Sequence, residues 1–339
     1  MGSMKGILVP QWQKLLHIPW ILTHLRYYWL QNSQILRNGI PLMELLVLKY
    51  PFQIPTLKKP PILSVDVTDA CDLQCEYCNN PSFPNPRTMM ADEVFQKIVN
   101  QAKEHEISRI RIGGGEPTLH PKLSIFIHDL RPVAKHISIT TNGQWNSGII
   151  AEELIDSKPD LIEFSVDAGG KDIYEHSRHH ASYERLMNNL EYIRKLRDEK
   201  KSKTILKIRL MLRPSTRHLE QVETKRLLKY VDIVIPQWLI QHPETNSVKD
   251  VFQHRSIAAN QIPVCSLPFK DMQIRPDGNI PMCAFKGCTL ELDQRIFLGN
   301  ICRDSVIDIW NSQVMNELRK AHRTRKGEIL EHCRNCHNG

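Results

Sequence analysis

Along the middle of the chain, apolar and polar positions fall into two alternating periods. Short, nearly continuous apolar runs bounded by turn residues predict strands at 62–68, 108–113, 136–141, 161–167, 204–212 and 231–235. Between them, apolar residues recur at helical spacing over 91–104, 121–131, 148–157, 181–200 and 219–229. Such alternation implies repeated right-handed βα units around a parallel sheet. The pattern alone fits a partial barrel or an open doubly wound sheet. Past residue 255 the rhythm stops, and Pro276-Asp277-Gly278 predicts a hairpin turn between 271–275 and 280–283.

Ahead of the first strand, residues 8–35 are apolar and aromatic, with Trp12, Trp20 and Trp29 among them, and Pro19 is suited to begin a helix. A second apolar segment, 40–50, continues this helical extension, and Pro51, Pro55, Pro60 and Pro61 form a stiff linker. The first reading of the extension is a helix packed against the α/β domain. The alternatives are a helix in a membrane interface, a lipid-like substrate contact, or a protein partner.

Composition sharpens this. The chain has 339 residues, enough for a sizeable core, and its 41% apolar content includes no run able to span a bilayer. Its start does not resemble a cleaved secretory signal, and Met1-Gly2-Ser3 looks like an expression scar before Met4. Of the net charge of +8, residues 1–65 carry most: seven Lys or Arg against Glu44. The remainder is nearly balanced, which argues against nucleic acid across the catalytic face.

Nine cysteines fall into spacings that suit metals better than disulfides. Cys71, Cys75 and Cys78 form C-x3-C-x2-C just after the first strand. Three such thiolates can ligate three irons of a [4Fe-4S] cluster and leave the fourth open to a small molecule, as on a catalytic metal. A zinc knuckle lacking a ligand is the plainer alternative. A cluster needs reduced thiolates, which places the protein in the cytoplasm or at the inner face of the membrane. Gly113-Gly114-Gly115-Glu116-Pro117 follows the second strand, Thr140-Thr141-Asn142-Gly143 ends the third, and Ser165-Val166-Asp167 ends the fourth. Arg209 is a charge among apolar neighbours in the fifth. Cys265, Cys283, Cys333 and Cys336 could enclose zinc or a fully ligated cluster.

Taken together, the cysteine triad and the glycine–glutamate loop resemble those of radical S-adenosylmethionine (radical SAM) enzymes, over roughly residues 60–339. The resemblance implies a partial (β/α)6 TIM-like barrel over 60–250, with the helical extension 1–59 before it and a small cysteine-rich β-hairpin/helix domain, 255–339, after it. It implies S-adenosylmethionine at the open iron and a 5'-deoxyadenosyl radical on reductive cleavage. Tyr77 would lie near adenine, and Glu116, with Gly114 and Gly115, would hold the methionine amino group. Thr141, Asn142 and Ser165 would lie near the methionine or ribose, and Asp167 near cofactor or substrate unless it caps its loop. Arg209 would meet the methionine carboxylate or form a structural ion pair; Leu212 would pack near adenine or simply in the core.

The C-terminal cysteines resemble the twitch/SPASM auxiliary-cluster domain, which implies one auxiliary [4Fe-4S] cluster on Cys265, Cys283, Cys333 and Cys336. A reducing partner such as flavodoxin or ferredoxin follows, and so does a two-electron oxidation of a sugar- or cyclitol-like alcohol. The alternatives are epimerisation with a thiol hydrogen donor, peptide modification and, outside enzymes, a scaffold keeping its metals for structure. Cys288 and Cys302 are left as buried small hydrophobes, ligands or hydrogen donors. Arg213, Arg217, Gln237, His242 and Glu244 follow the fifth and sixth strands as candidate substrate residues, His242 and Glu244 among the catalytic candidates.

Overall fold

The computed structural model describes residues 39–40, 42–53, 55–78, 87–238, 264–283 and 297–333. The expected strands form as β1 (Ile62–Thr68), β3 (Arg109–Gly114), β4 (His136–Thr141), β5 (Leu161–Asp167), β7 (Ile205–Leu212) and β8 (Ile233–Trp238). Short β2 (Gln74–Cys75) and β6 (Arg178–His179) pair antiparallel with each other. The large sheet is parallel and has seven strands, in the order β8-β7-β5-β4-β3-β1-β9.

The seventh strand corrects the hairpin expectation. β9 (Asp271–Ile274) pairs with β1, whereas β10 (Asn279–Pro281) pairs with β11 (Phe297–Asn300). The turn itself forms: Arg275 N–H bonds to the Asn279 carbonyl at 2.9 Å, and Gly278 takes φ +81°. Periodicity cannot assign its first strand a partner. Met272 and Ile274 continue the apolar face of β1, so joining that edge buries both and pairs the edge backbone.

Side-chain parity gives the sheet two unlike faces. Leu63, Val65, Val67, Ile110, Ile112, Ile139, Ile162, Phe164, Leu206, Ile208 and Leu210 occupy one, all essentially unexposed. Helices cover this face. α2 (Asp92–Glu104) buries Phe95, Ile98 and Ala102, and Phe95 stacks on Phe126 of α3 (Leu123–Leu130) at 3.8 Å between centroids. α4 (Gly148–Asp156) and α6 (Tyr183–Glu199) begin at Ser147 and Ser182, whose hydroxyls accept backbone N–H bonds. α5 (Gly170–Ser177), absent from the sequence expectations, follows Gly169 in the left-handed region, and α7 (Glu220–Leu227) precedes β8. The register places Ser64, Asp66, Arg111, Gly113, Ser138, Thr140, Glu163, Ser165, Lys207, Arg209, Asp271 and Gln273 on the other face. Strands buried on both sides are usually apolar throughout; here one face is largely polar, with a small apolar cluster of Leu161, Ile205, Ile233 and Ile235 at one end. This geometry is consistent with a partial barrel whose polar face lines the interior.

The described part of the extension, helix α1 (Leu42–Lys49), packs at the N-terminal edge of the sheet. Buried Glu44 accepts from the Ser108 hydroxyl and lies 3.9 Å from Lys59, and Lys135 bonds to the Gly39 carbonyl at 2.6 Å. Ser108 and Lys135 immediately precede β3 and β4. The aromatic segment 8–35 lies outside the described residues, and among those described no helix is long and apolar enough to cross a membrane. At the C-terminal side, α8 (Leu267–Lys270), α9 (Val306–Trp310) and α10 (Gln313–Thr324) pack together. Trp310 is fully buried beneath the Arg319 guanidinium at 4.1 Å and bonds to the Leu57 carbonyl of the linker at 2.7 Å.

Candidate active site

The chain leaves β1 at Thr68, whose hydroxyl donates to the Thr88 carbonyl and accepts from Ala70 N–H, both at 2.9 Å. Cys71, Cys75 and Cys78 follow on this tied loop as half-buried thiols. Leu73 N–H points at Cys71 Sγ at 3.4 Å, and Cys78 N–H closes a turn onto the Cys75 carbonyl. Burial pushes the Cys71 thiol up to about 12 and that of Cys75 to about 11, so both keep their protons until a metal displaces them. Among the described residues, no group of three or more His, Cys, Asp or Glu surrounds a single-ion position. An all-thiol donor set on one loop, met by a backbone donor at sulfur, fits a multi-iron cluster, whose thiolates sit on separate irons.

Two glycines hold the next loop against this one. A Cβ on Gly114 would lie 2.2 Å from the Thr68 carbonyl oxygen, and one on Gly115 would lie 2.1 Å from that of Ala70. Gly114 also takes φ +125°. Their absent side chains let Gly115 N–H and Glu116 N–H bond to Thr68 and Ala70, both at 2.7 Å. Glu116 is fully buried, and burial raises its carboxyl. Its Oε1 accepts from the Thr118 hydroxyl at 2.6 Å, Thr118 N–H at 3.1 Å and the Thr141 hydroxyl at 2.7 Å, while Oε2 accepts Asn142 N–H at 2.7 Å. The Asn142 amide in turn donates to Asp72 at 2.7 Å. Glu116, Thr141 and Asn142 thus join three strand-end loops around the cysteine segment.

Asp167 anchors a further network. Its Oδ1 accepts from the Tyr77 hydroxyl at 2.7 Å and from Arg178 Nε at 2.9 Å, and its Oδ2 from the Ser177 hydroxyl at 2.5 Å. Arg178 is buried, reaches within 4.0 Å of Cys75 Sγ, and lies 5.7 Å from the rings of both Tyr77 and Tyr174. Sequence reasoning did not single out Arg178; an arginine beside two histidines at a helix end carries no pattern. Ser165 is half-buried on the polar face.

The structure gives Arg209 a partner within the chain: Nε and Nη2 both lie 2.6 Å from Glu163 Oε1, and Nη1 donates to Gln237 at 2.7 Å. Burial alone would raise the Glu163 carboxyl, but Lys207 and Arg209 together hold it down to about 2. Leu212 shares the parity of Leu206, Ile208 and Leu210 and is buried in the core on the helix side. Arg213 pairs with Glu76 at 3.0 Å, and Arg217 lies over the Trp238 ring at 5.5 Å.

In the C-terminal region the Cys265, Cys283 and Cys333 thiols are half-buried. Buried His322 lies between two of them: Cys265 N–H donates to its Nδ1 at 3.3 Å, and Cys333 Sγ is 3.9 Å from Nε2. Cys302 is exposed, with its backbone N–H on the Asn300 side chain, so it is no buried hydrophobe and lies on no strand of the polar face. Cys288, Cys336, His242 and Glu244 lie outside the described residues.

Against known proteins, residues 65–212 match the radical SAM superfamily, and residues 265–337 match an iron-sulfur cluster-binding domain, SPASM. The chain is 30% identical over 105 residues to a probable GTP 3',8-cyclase of Pyrococcus horikoshii, a stretch covering 31% of this chain and 34% of that protein. It is 31% identical over 107 residues to a tungsten-containing aldehyde ferredoxin oxidoreductase cofactor-modifying protein of Pyrococcus furiosus, covering 31% of this chain and 30% of that one. The chain therefore spans about a third of these curated relatives. Among solved structures, BtrN in complex with AdoMet and 2-DOIA aligns over 84% of this chain and 95% of its own, with TM-score 0.50 and 18% identity. AnSMEcpe with bound AdoMet aligns over 82% and 89%, with TM-score 0.57 and 17% identity. These are likenesses of fold.

Proposed function

The chain belongs to the radical SAM superfamily with a C-terminal SPASM-like iron-sulfur domain, and from that premise we propose that it dehydrogenates a small hydroxylated substrate, sugar- or cyclitol-like. As a radical SAM enzyme it binds S-adenosylmethionine and iron-sulfur clusters and generates a 5'-deoxyadenosyl radical. In this reading Cys71, Cys75 and Cys78 hold the first cluster. The loops gathered by Glu116 seat the cofactor, with Tyr77, Gly114, Gly115, Thr141, Asn142, Ser165 and Asp167 around it. Cys265, Cys283, Cys333 and Cys336 hold one auxiliary cluster. A flavodoxin- or ferredoxin-like protein supplies the first electron, and the cytoplasm is the fitting compartment.

The observation that carries the reading is β9. β9, joined by a tight turn to β10 just before Cys283, lies in the same sheet as β1, the strand leading to Cys71, which ties the two cysteine regions together. A second iron-sulfur group there is suited to accept the electron released by substrate oxidation. The polar sheet face offers hydrogen-bonding groups to a hydroxylated molecule. The test is the product formed in deuterated water under reducing anaerobic conditions. The reading expects one 5'-deoxyadenosine per product, a mass loss of two hydrogens and no solvent deuterium on carbon. Solvent deuterium without net oxidation would replace it with epimerisation.

A further inference from the structure

On the polar face of the sheet, several charged side chains stand beside opposite charges. Glu163 has Lys207 and Arg209, and Asp271 has Arg111 at 3.0 Å with the Ser64 hydroxyl on the same oxygen. Asp66 is 8% exposed, and its one hydrogen bond among the described residues comes from the Gln273 amide to Oδ2. Arg275, the closest cationic influence, directs Nη2 to Asp69 at 2.9 Å. Across the strand pair, Asp66 is in register with Gly113 of β3.

Gly113 differs from the two glycines after it. Its φ is outside the left-handed region, and a Cβ there would meet a single atom within 4 Å, Asp66 Oδ1 at 3.8 Å. Backbone geometry does not require glycine at this position, so the missing side chain leaves open space beside a carboxylate oxygen. Further down the same face, opposite Ile62 and Ser64, Asp271 Oδ1 and Gln273 Oε1 are buried acceptors with no hydrogen-bond partner among the described residues. A carboxylate oxygen beside such an opening suits a hydroxyl or amine donor.

We propose that the space over Gly113 seats the reacting carbinol of a small polyhydroxylated substrate and that Asp66 Oδ1 accepts its hydroxyl proton; this rests on the dehydrogenase reading. At the carbinol carbon the C–H bond breaks and the hydrogen atom passes to the adenosyl radical, giving 5'-deoxyadenosine. The O–H bond breaks and its proton passes to Asp66. The remaining electron leaves to a one-electron acceptor of the iron-sulfur class, and the C=O double bond closes. Burial pushes the Asp66 carboxyl up to about 7; Arg275 and the Gln273 amide oppose this, and Asp69 and Asp271 add to it. Arg111 faces Asp271, and β3 contributes only Gly113 beside Asp66. A group so placed is ionised above neutral pH and basic enough to take a proton there.

The experiment uses the anaerobically reconstituted full chain with S-adenosylmethionine, dithionite and carbon-deuterated myo-inositol, scyllo-inositol and scyllo-inosamine. Wild type is expected to move deuterium into 5'-deoxyadenosine and form a ketone from at least one of them, with ketone formation rising as pH passes about 7. Asp66→Asn is expected to keep deuterium transfer while ketone formation falls about 100-fold, and Asp66→Glu to restore part of it. Gly113→Val is expected to abolish transfer but keep substrate-free cleavage of S-adenosylmethionine. Equal loss of transfer and ketone in Asp66→Asn, unrelieved in Asp66→Glu, would overturn the acceptor role. Undiminished transfer in Gly113→Val would overturn the seat and leave the dehydrogenase reading standing. Formation of 5'-deoxyadenosine with no ketone from any of the three would remove that reading and the proposal together.

Discussion

In the unfolded chain the Asp66 carboxyl ionises near 3.8, whereas inside the fold burial keeps it protonated up to about 7. Between these values the unfolded state releases its proton first, so the stability present below 3.8 is lost as pH rises through 7. The difference corresponds to roughly 4 kcal/mol above pH 7. Asp66→Asn is therefore expected to raise the thermal midpoint at pH 8.5, and to raise it less at pH 5.5; an equal fall at both would contradict the shift. A carboxylate kept at such a cost is what functional sites often show. The cysteines and Glu116 were legible in the sequence because those residue types at those spacings have little else to do. A charge inside an apolar strand marked Arg209 in the sequence; Asp66 carries the same kind of signal but was not singled out. The partner of each could not be read, because register across strands decides it. Asp66 and Gln273 are 207 positions apart.

At the scale of elements, the cysteine loop is held from two sides. The glycine loop closes on Thr68 and Ala70, and the β2–β6 pair ties Cys75 to Arg178. Gly115→Ala puts a methyl into the Ala70 carbonyl, so the loop must shift. The expected outcome is loss of iron from the first cluster with the auxiliary iron retained, measured by Mössbauer spectroscopy. Unchanged iron would show that the contact does not position the loop. Arg178→Met leaves Asp167 buried without its cation, a change that typically costs about 3–5 kcal/mol; urea unfolding of the metal-free chain would measure it, and a loss below about 1 kcal/mol would deny the pair that weight. Strand and helix positions were readable to within three residues because each unit has its own period. α5 was missed because it is short and polar and begins at the second of two glycines.

Over the whole molecule, the C-terminal cysteine-containing region contributes β9 to the large parallel sheet as its seventh strand. Arg275, at the turn after β9, forms a buried pair with Asp69, two residues before Cys71, and Gln273 bonds to Asp66. Arg275→Met is therefore expected to reduce iron retention at the first cluster although the residue lies 204 positions from Cys71; loss confined to the auxiliary iron would contradict that coupling. Nothing in the local pattern of 271–274 announces its place beside β1, because a four-residue strand matches any edge of suitable parity. Tertiary packing made that choice. The central claim is two iron-sulfur groups serving one reaction, and the most direct measurement is iron and sulfide content with Mössbauer spectra after anaerobic reconstitution. Wild type is compared with the C71A/C75A/C78A variant. The account predicts about eight irons in wild type and about four in the variant. About four in wild type and almost none in the variant would leave the C-terminal thiols without a cluster and the proposed oxidation without its electron acceptor.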